Sequence, residues 1–244
     1  MITTYHRPST LDEALALLSQ PNTVPLGGGT LLSQPKTAPV SVVDLQRLGL
    51  DSIRINGNEL QIGATCTLQT LLEAADCPKA LQTALKLEAP INIRNTATAA
   101  GTLVAGDGRS TFVTALLALD AKITIVNGQS SVVSVGEYIL THSQGLITQI
   151  AVPLNAKFAF EFVSKTPADK PLICAALTQW NSGRTRLALG GYGASPLLAM
   201  DGTEADGLDT AARNAYHEAN DEWASAEYRM DVAATLAKRC LESL

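Results

Sequence analysis

The alternation of apolar and polar positions divides the chain into short elements with recognisable ends. Leu11 to Leu18 reads as a helix that Ser9 or Thr10 can cap, with an acidic residue three positions on, and Pro21 and Asn22 stop it. Val24 to Leu26 is a short buried strand that runs into three consecutive glycines, and Ser41 to Leu45 is a second strand bounded by Pro39. Ile53 to Gly63 is a hairpin turning at Asn56-Gly57-Asn58. Thr67 caps a helix through Leu68, Leu71, Leu72 and Ala75, and Pro78 opens another through Leu81, Ala84 and Leu85. Ser110 caps the apolar helix of Phe112 to Leu119, and Lys122 to Val126 and Ser130 to Val133 flank Asn127-Gly128 as a further hairpin.

Beyond Leu146 the signals lengthen and become antiparallel. Leu146 to Val152 is a strand closed by Pro153. Phe158, Phe160 and Phe162 alternate with Ala159 and Glu161, so the three rings share one strand face and read as sheet core. Pro171 to Trp180 and Arg184 to Gly190 are two more strands joined by Asn181-Ser182-Gly183, followed by helices over Asp209 to Tyr216 and Ser225 to Leu244. The change of pattern places a domain boundary near Ala156, and no internal repeat or low-complexity segment interrupts it.

Composition narrows the class. The chain has 244 residues, 46% hydrophobic and 17% charged, as in soluble globular domains, and that length suits one large or two modest domains. No apolar stretch approaches the roughly 20 residues of a membrane span, and the opening Met1 to Arg7 has no signal-peptide core, which points to the cytoplasm. A net charge of −5 leaves no basic footprint for nucleic acid. Cys66, Cys77, Cys174 and Cys240 are widely spaced and form no CxxC pair, which disfavours a zinc or iron–sulfur site. His6, His142 and His217 are scattered and suggest no triad.

Two stretches of small residues carry the candidate chemistry. Gly27-Gly28-Gly29-Thr30 offers bare amides that can take positive φ and cradle an anion, although a tight turn would use the same residues. Arg94 to Leu103 and Ala105 to Ser110 form a second region whose small side chains leave room for a ligand, and the helix that follows favours an anion at its N-terminus.

Together and in this order, the two stretches resemble the fingerprints of the FAD-binding medium subunit of molybdenum hydroxylases, the family of the aerobic carbon monoxide dehydrogenase flavin subunit and the xanthine dehydrogenase flavin region. The family's P-L-A-G-G-T-[DN]-L is similar to Pro25 to Leu32, and its R-N-x-A-T-I-G-G-N to Arg94 to Thr102. Pro8, Ala14, Leu17 and Leu18 resemble its opening segment, and Ala115 to Ala121 its A-L-L-A-L-D-A. Arg186 to Gly191 and Ser225 to Arg229 resemble later landmarks, so the likeness covers essentially the whole chain.

The resemblance implies an α+β architecture. Residues 1–156 would be a two-subdomain FAD-binding domain, divided at about residue 56, and 157–244 a small antiparallel sheet with helices. It implies that Leu26, Gly27, Gly28, Gly29, Thr30 and Leu31, with Thr98, Ala99, Ala100, Gly101 and Thr102, hold the pyrophosphate and ribityl groups of FAD through backbone N–H groups. Asp107, Thr111, Ile147, Lys165 and Tyr192 would stand near the cofactor, Tyr192 near the flavin ring. It further implies an electron-transfer subunit between a small [2Fe-2S] subunit and a large molybdopterin subunit, with NAD or another compound as external acceptor. Two alternatives stay open: a flavin-free assembly subunit, motivated by alanine at positions 99 and 100, and a stand-alone flavin reductase or oxidase.

Overall fold

The computed structural model describes residues 1–34, 38–167 and 169–244. Its first layer is a parallel sheet of β1 (Ile2–His6), β2 (Thr23–Leu26) and β3 (Val40–Asp44), in the order β1-β3-β2. Helix α1 (Leu11–Leu18) connects β1 to β2. Thr10 is its N-cap, and the Glu13 carboxylate reaches back to accept from Ser9 N at 2.9 Å. Ala14, Val43, Leu45 and Leu146 bury themselves between helix and sheet, so a residue from far along the chain completes this small core.

The second sheet is antiparallel and contains β4 (Ile53–Asn56), β5 (Glu59–Gly63), β6 (Lys122–Asn127), β7 (Gln129–Ser134) and β8 (Leu146–Pro153), in the order β4-β5-β8-β6-β7. Both predicted hairpins are present, with β8 inserted between them. Against it lie α2 (Leu68–Glu73), α3 (Lys79–Glu88), α4 (Ile91–Arg94), α5 (Ala99–Ala105), α6 (Thr111–Ala118) and α7 (Val135–Thr141). Every residue of α6 is buried, which explains its continuous apolar run.

The third sheet is β9 (Ala156–Val163), β10 (Ile173–Trp180), β11 (Thr185–Gly190) and β12 (Leu197–Gly202), in the order β12-β11-β10-β9. Two helices, α8 (Leu208–Ala215) and α9 (Ala226–Glu242), cover one face of it. Side chains alternate across this sheet. Ala159, Ala175, Leu177, Leu187 and Leu189 face the core shared with α8 and α9, whereas Phe160, Cys174, Ala176 and Ala188 belong to the core that contains α3 and α6. The phenylalanine stripe therefore separates along its length: Phe160 is buried, Phe158 packs at the edge of the core, and Phe162 is 37% exposed at the rim.

Charges reinforce this junction. Arg186 donates from Nε to the Leu117 carbonyl near the end of α6, and its guanidinium pairs with Asp201 at 2.6 Å and Asp120 at 3.3 Å. Arg184 donates to both Asp201 oxygens at 2.8 Å, and this bond chiefly holds the Asp201 carboxyl below its ordinary pKa. The sequence pattern did not anticipate β1, α4, α5, α7 or β12.

Candidate functional site

The glycine turn leaves the carboxyl end of β2, the place where parallel α/β sheets bind ligands. None of the backbone amides from Gly27 to Leu32 donates to another atom among the described residues. The turn is held instead through acceptors and close packing: Ser33 donates from N and Oγ to the Gly29 carbonyl at 2.9 and 2.8 Å. Gly29 has φ +71°, a left-handed conformation that a Cβ strains. A Cβ on Gly27 would stand 2.7 Å from Thr98 Oγ1, and one on Gly28 only 1.6 Å from the Thr96 carbonyl oxygen. The glycines thus let the turn seat directly on residues 96–98, nearly 70 positions along the chain. Gly28 is a glycine because of that backbone contact.

The second fingerprint is the start of a helix rather than an open loop. Thr98 is the N-cap of α5, with Oγ1 accepting from Gly101 N at 3.2 Å. Ala99 N donates to the Cys66 carbonyl at 2.8 Å, Ala100 N to the Ala64 carbonyl at 3.1 Å, and Thr102 N to the Thr98 carbonyl at 2.8 Å. The amides of residues 99–102 are therefore committed within the protein, which corrects the expectation that they present a row of free donors. Ala100 sits in a helical turn, so its Cβ meets no positive-φ penalty. Arg94 ties the segment down by donating to Gln69 Oε1 at 2.9 Å and to the Ala89 carbonyl at 2.6 Å.

The α6 N-terminus, expected to favour an external anion, is filled by the protein's own Glu88. Its Oε2 accepts from Ser110 Oγ at 2.8 Å and Phe112 N at 2.9 Å, and Lys170 Nζ lies 3.3 Å from Oε1. Thr111 is wholly buried beside it, donating to the Ala84 carbonyl at 2.7 Å, so its hydroxyl has no path to a ligand. Ile147 is likewise committed: its side chain lies in the core around α6.

Asp107, Lys165 and Tyr192 converge elsewhere, where residues 107–110 meet the third sheet. Asp107 Oδ1 accepts from Arg109 N at 2.9 Å. Gly108 N donates to the Gly193 carbonyl at 3.1 Å, and Gly191 N returns a bond to the Gly108 carbonyl at 2.7 Å, placing Tyr192 against this loop. A Cβ on Gly108 would lie 1.9 Å from the Tyr192 carbonyl oxygen. The Tyr192 ring stacks on Arg229, 5.2 Å from its centroid. Arg229 is fully buried and donates to the Leu172 and Gly191 carbonyls, both at 2.9 Å, and to Asp221 at 2.7 Å. Burial alone would raise the Asp221 pKa; the amides of Trp223 and Ala224 and the Arg229 guanidinium outweigh it and hold the carboxyl below its ordinary value.

Sequence reasoning missed the contributions of Trp223, Arg109 and Arg229 here. Lys165 Nζ and Arg109 Cζ each lie 4.9 Å from the Trp223 ring centroid, a contact between segments that no spacing signal links. It also missed Asp44 at the carboxyl end of β3, which accepts from Tyr5 Oη and from Gln46 N and pairs with Arg7 at 3.3 Å. Among the described residues no group of His, Cys, Asp or Glu is arranged to hold a metal. Burial pushes the Cys66 thiol up to about 11 and Cys77 up to about 12, so neither offers a thiolate at neutral pH. No helix among the described residues is long and apolar enough to cross a membrane.

A dinucleotide diphosphate needs uncommitted donors on a bare backbone; among the described residues the amides of Gly27–Leu32 have no other acceptor, and three of them belong to glycines. The comparisons agree with that fit. The carbon monoxide dehydrogenase medium chain of Afipia carboxidovorans is 28% identical over 98% of this chain and 95% of its own length. YgfM of Escherichia coli K12 is 29% identical over 97% of this chain and 94% of its own. The solved carbon monoxide dehydrogenase of Oligotropha carboxidovorans superposes with a TM-score of 0.84 at 25% identity, covering 98% of this chain and 96% of that one. Residues 1–155 match the FAD-binding domain of molybdopterin dehydrogenases, with FAD as its cofactor, and the chain belongs to that family.

Proposed function

We propose that the chain is the FAD-carrying electron-transfer subunit of a molybdenum-hydroxylase-type oxidoreductase. It would take electrons from the [2Fe-2S] clusters of a small subunit and deliver them to an external acceptor, NAD or another compound. Substrate chemistry would proceed at the molybdopterin of a large subunit, and the complex would work in the cytoplasm. The single observation that carries this reading is the row of undirected amides at Gly27–Leu32, clamped on Thr96–Thr98, in a chain of this family.

Bound FAD supplies reversible electron uptake, and this chain supplies binding and orientation. Gly27 to Leu31 would donate to the diphosphate, and Leu26 and Thr98 would line the approach. Thr102, Gly101, Ala99 and Ala100 shape the floor as the first turn of α5. Asp107, Lys165 and Tyr192 would border the flavin half. No acid–base pair is required, since the protein need not move a proton of the substrate. The boundary near Ala156 would divide the FAD-binding domain from the small antiparallel sheet, which would add Lys165 and Tyr192 to the border of the flavin. The flavin-free alternative loses its motive, because Ala99 and Ala100 are ordinary first-turn helix residues.

The absorption spectrum of freshly purified protein tests the proposal. The two visible flavin bands, present on purification or after incubation with excess FAD and gel filtration, are the expected result. Their absence after loading overturns the electron-carrier reading. NADH oxidation by the isolated, flavin-loaded chain without partners would instead favour a stand-alone reductase.

A further inference from the structure

The amides of the glycine turn are aimed by what holds their carbonyls. A trans peptide is planar, so its C=O and the N–H of the next residue point in opposite directions, and fixing one fixes the other. The Leu26 carbonyl accepts from Leu45 N at 3.1 Å, which turns the Gly27 N–H away from β3. The Leu31 carbonyl accepts from Gln34 N at 3.4 Å, which sends the Leu32 N–H the other way. Between them, the Gly29 carbonyl is held twice by Ser33, from N at 2.9 Å and from Oγ at 2.8 Å. The Thr30 N–H therefore leaves in the opposite direction, with no acceptor among the described residues.

The Gly29–Thr30 peptide is also the one that most needs holding. Gly29 has φ +71°, and a Cβ there would meet nothing closer than Leu26 Cδ1 at 3.3 Å, so its backbone angle and not a lack of space calls for glycine. A peptide beside a glycine can rotate as a unit, because turn forms exist that differ by the reversal of one such plane. Reversal here would put the Gly29 oxygen where the Thr30 N–H had been, and an oxygen repels a phosphate that an N–H would bind. We infer that Ser33 is a positioning residue for the diphosphate: its hydroxyl and amide latch the Gly29 carbonyl and so keep the Thr30 N–H available to the ligand. Ser33 acts through that peptide and needs no contact with the ligand. The role rests on the reading of the turn as the diphosphate cradle of FAD.

Ser33 is exposed, so Ser33→Ala removes the hydroxyl without opening a cavity, and Ser33→Thr keeps it. The full chain, isotopically labelled on nitrogen, is titrated with inorganic pyrophosphate while the Thr30 amide resonance is followed. FAD affinity is measured by equilibrium dialysis, and thermal midpoints are recorded without ligand. A saturable Thr30 shift is expected in the unaltered chain. Ser33→Ala should weaken pyrophosphate and FAD alike by about fivefold, the loss of one hydrogen bond, with the midpoint unchanged and both affinities restored by Ser33→Thr. Equal FAD affinity in Ser33→Ala overturns the latch and leaves the electron-carrier reading standing. A Thr30 amide indifferent to pyrophosphate overturns the latch as well. A loss of affinity that follows a fall in midpoint, and that Ser33→Thr does not repair, makes Ser33 merely structural and overturns the positioning role. No FAD binding by the unaltered chain, with a Thr30 response to pyrophosphate that Ser33→Ala weakens, overturns the electron-carrier reading and keeps the latch.

Discussion

The turn at Gly27–Leu32 and the start of α5 at Thr98–Thr102 are both runs of small residues beside a hydroxyl, and they touch, yet their backbones do opposite things. Among the described residues the amides of the turn have no acceptor. In the helix start the amides are used by Cys66, Ala64 and Thr98. The difference follows from what surrounds each. Residues 99–102 enter a helix beside the strand-like bridge of Thr67 and Thr98, which brings carbonyls to them, whereas the glycine turn lies beyond the last paired residue of β2, Leu26, outside the ladder with β3. The N-terminus of α6 makes the same point again, because Glu88 occupies it from 24 residues away. A small-residue motif therefore marks a place where backbones can approach; the neighbours decide whether the N–H groups remain free.

Four substitutions would break or sharpen this contrast. Gly28→Ala should have the largest effect, about 3 kcal/mol of destabilisation with loss of flavin retention, because its Cβ meets a backbone carbonyl that cannot move without separating the two segments. An unchanged thermal midpoint would show that the turn does not sit on Thr96. Glu88→Ala should cost about 2 kcal/mol, since Ser110 Oγ and Phe112 N lose a buried acceptor, and added sulfate should restore part of it by replacing the carboxylate. Denaturant melts with and without sulfate measure this, and no sulfate dependence would argue against an internal anion. Thr98→Ala removes the α5 cap and should cost about 1 kcal/mol in the same melts. Ala100→Gly should be the mildest, about 0.5–1 kcal/mol less stable with no gain in FAD affinity; tighter FAD binding would mean that position 100 does approach the cofactor.

Local chemistry was enough for much of the fold. Thr10, one of the two hydroxyls the pattern offers, and Thr67 and Ser110 cap helices where the sequence puts them, and the turns at Asn56-Gly57 and Asn127-Gly128 join the strands they should. The alternation in β9 correctly assigned one face to its phenylalanines, although how deeply each is buried depended on α3 and α6. The site was half legible. The glycine turn was readable from its own residues, and its pairing with Arg94–Thr102 from the resemblance. Thr111 and Ile147 came from the resemblance alone, which transfers a position along the chain and not the direction of a side chain, and both are buried. Trp223 went unnoticed because a lone tryptophan between helices carries no local signal until the chain brings Arg109 and Lys165 to it.

The sequence by itself determined the caps, the hairpins, the buried helix at residues 111–118 and the bare amides at Gly27–Gly29, because each depends on residues within one or two turns of one another. Tertiary structure alone decided that β1 joins a parallel sheet, that Glu88 and not an external anion sits on α6, that residues 99–102 spend their amides internally, and that Arg109, Lys165 and Trp223 meet. These outcomes depend on which acceptor or charge arrives from distant chain, and hydrogen bonds and cation–aromatic contacts act only over a few ångströms, so no pattern along the chain encodes them.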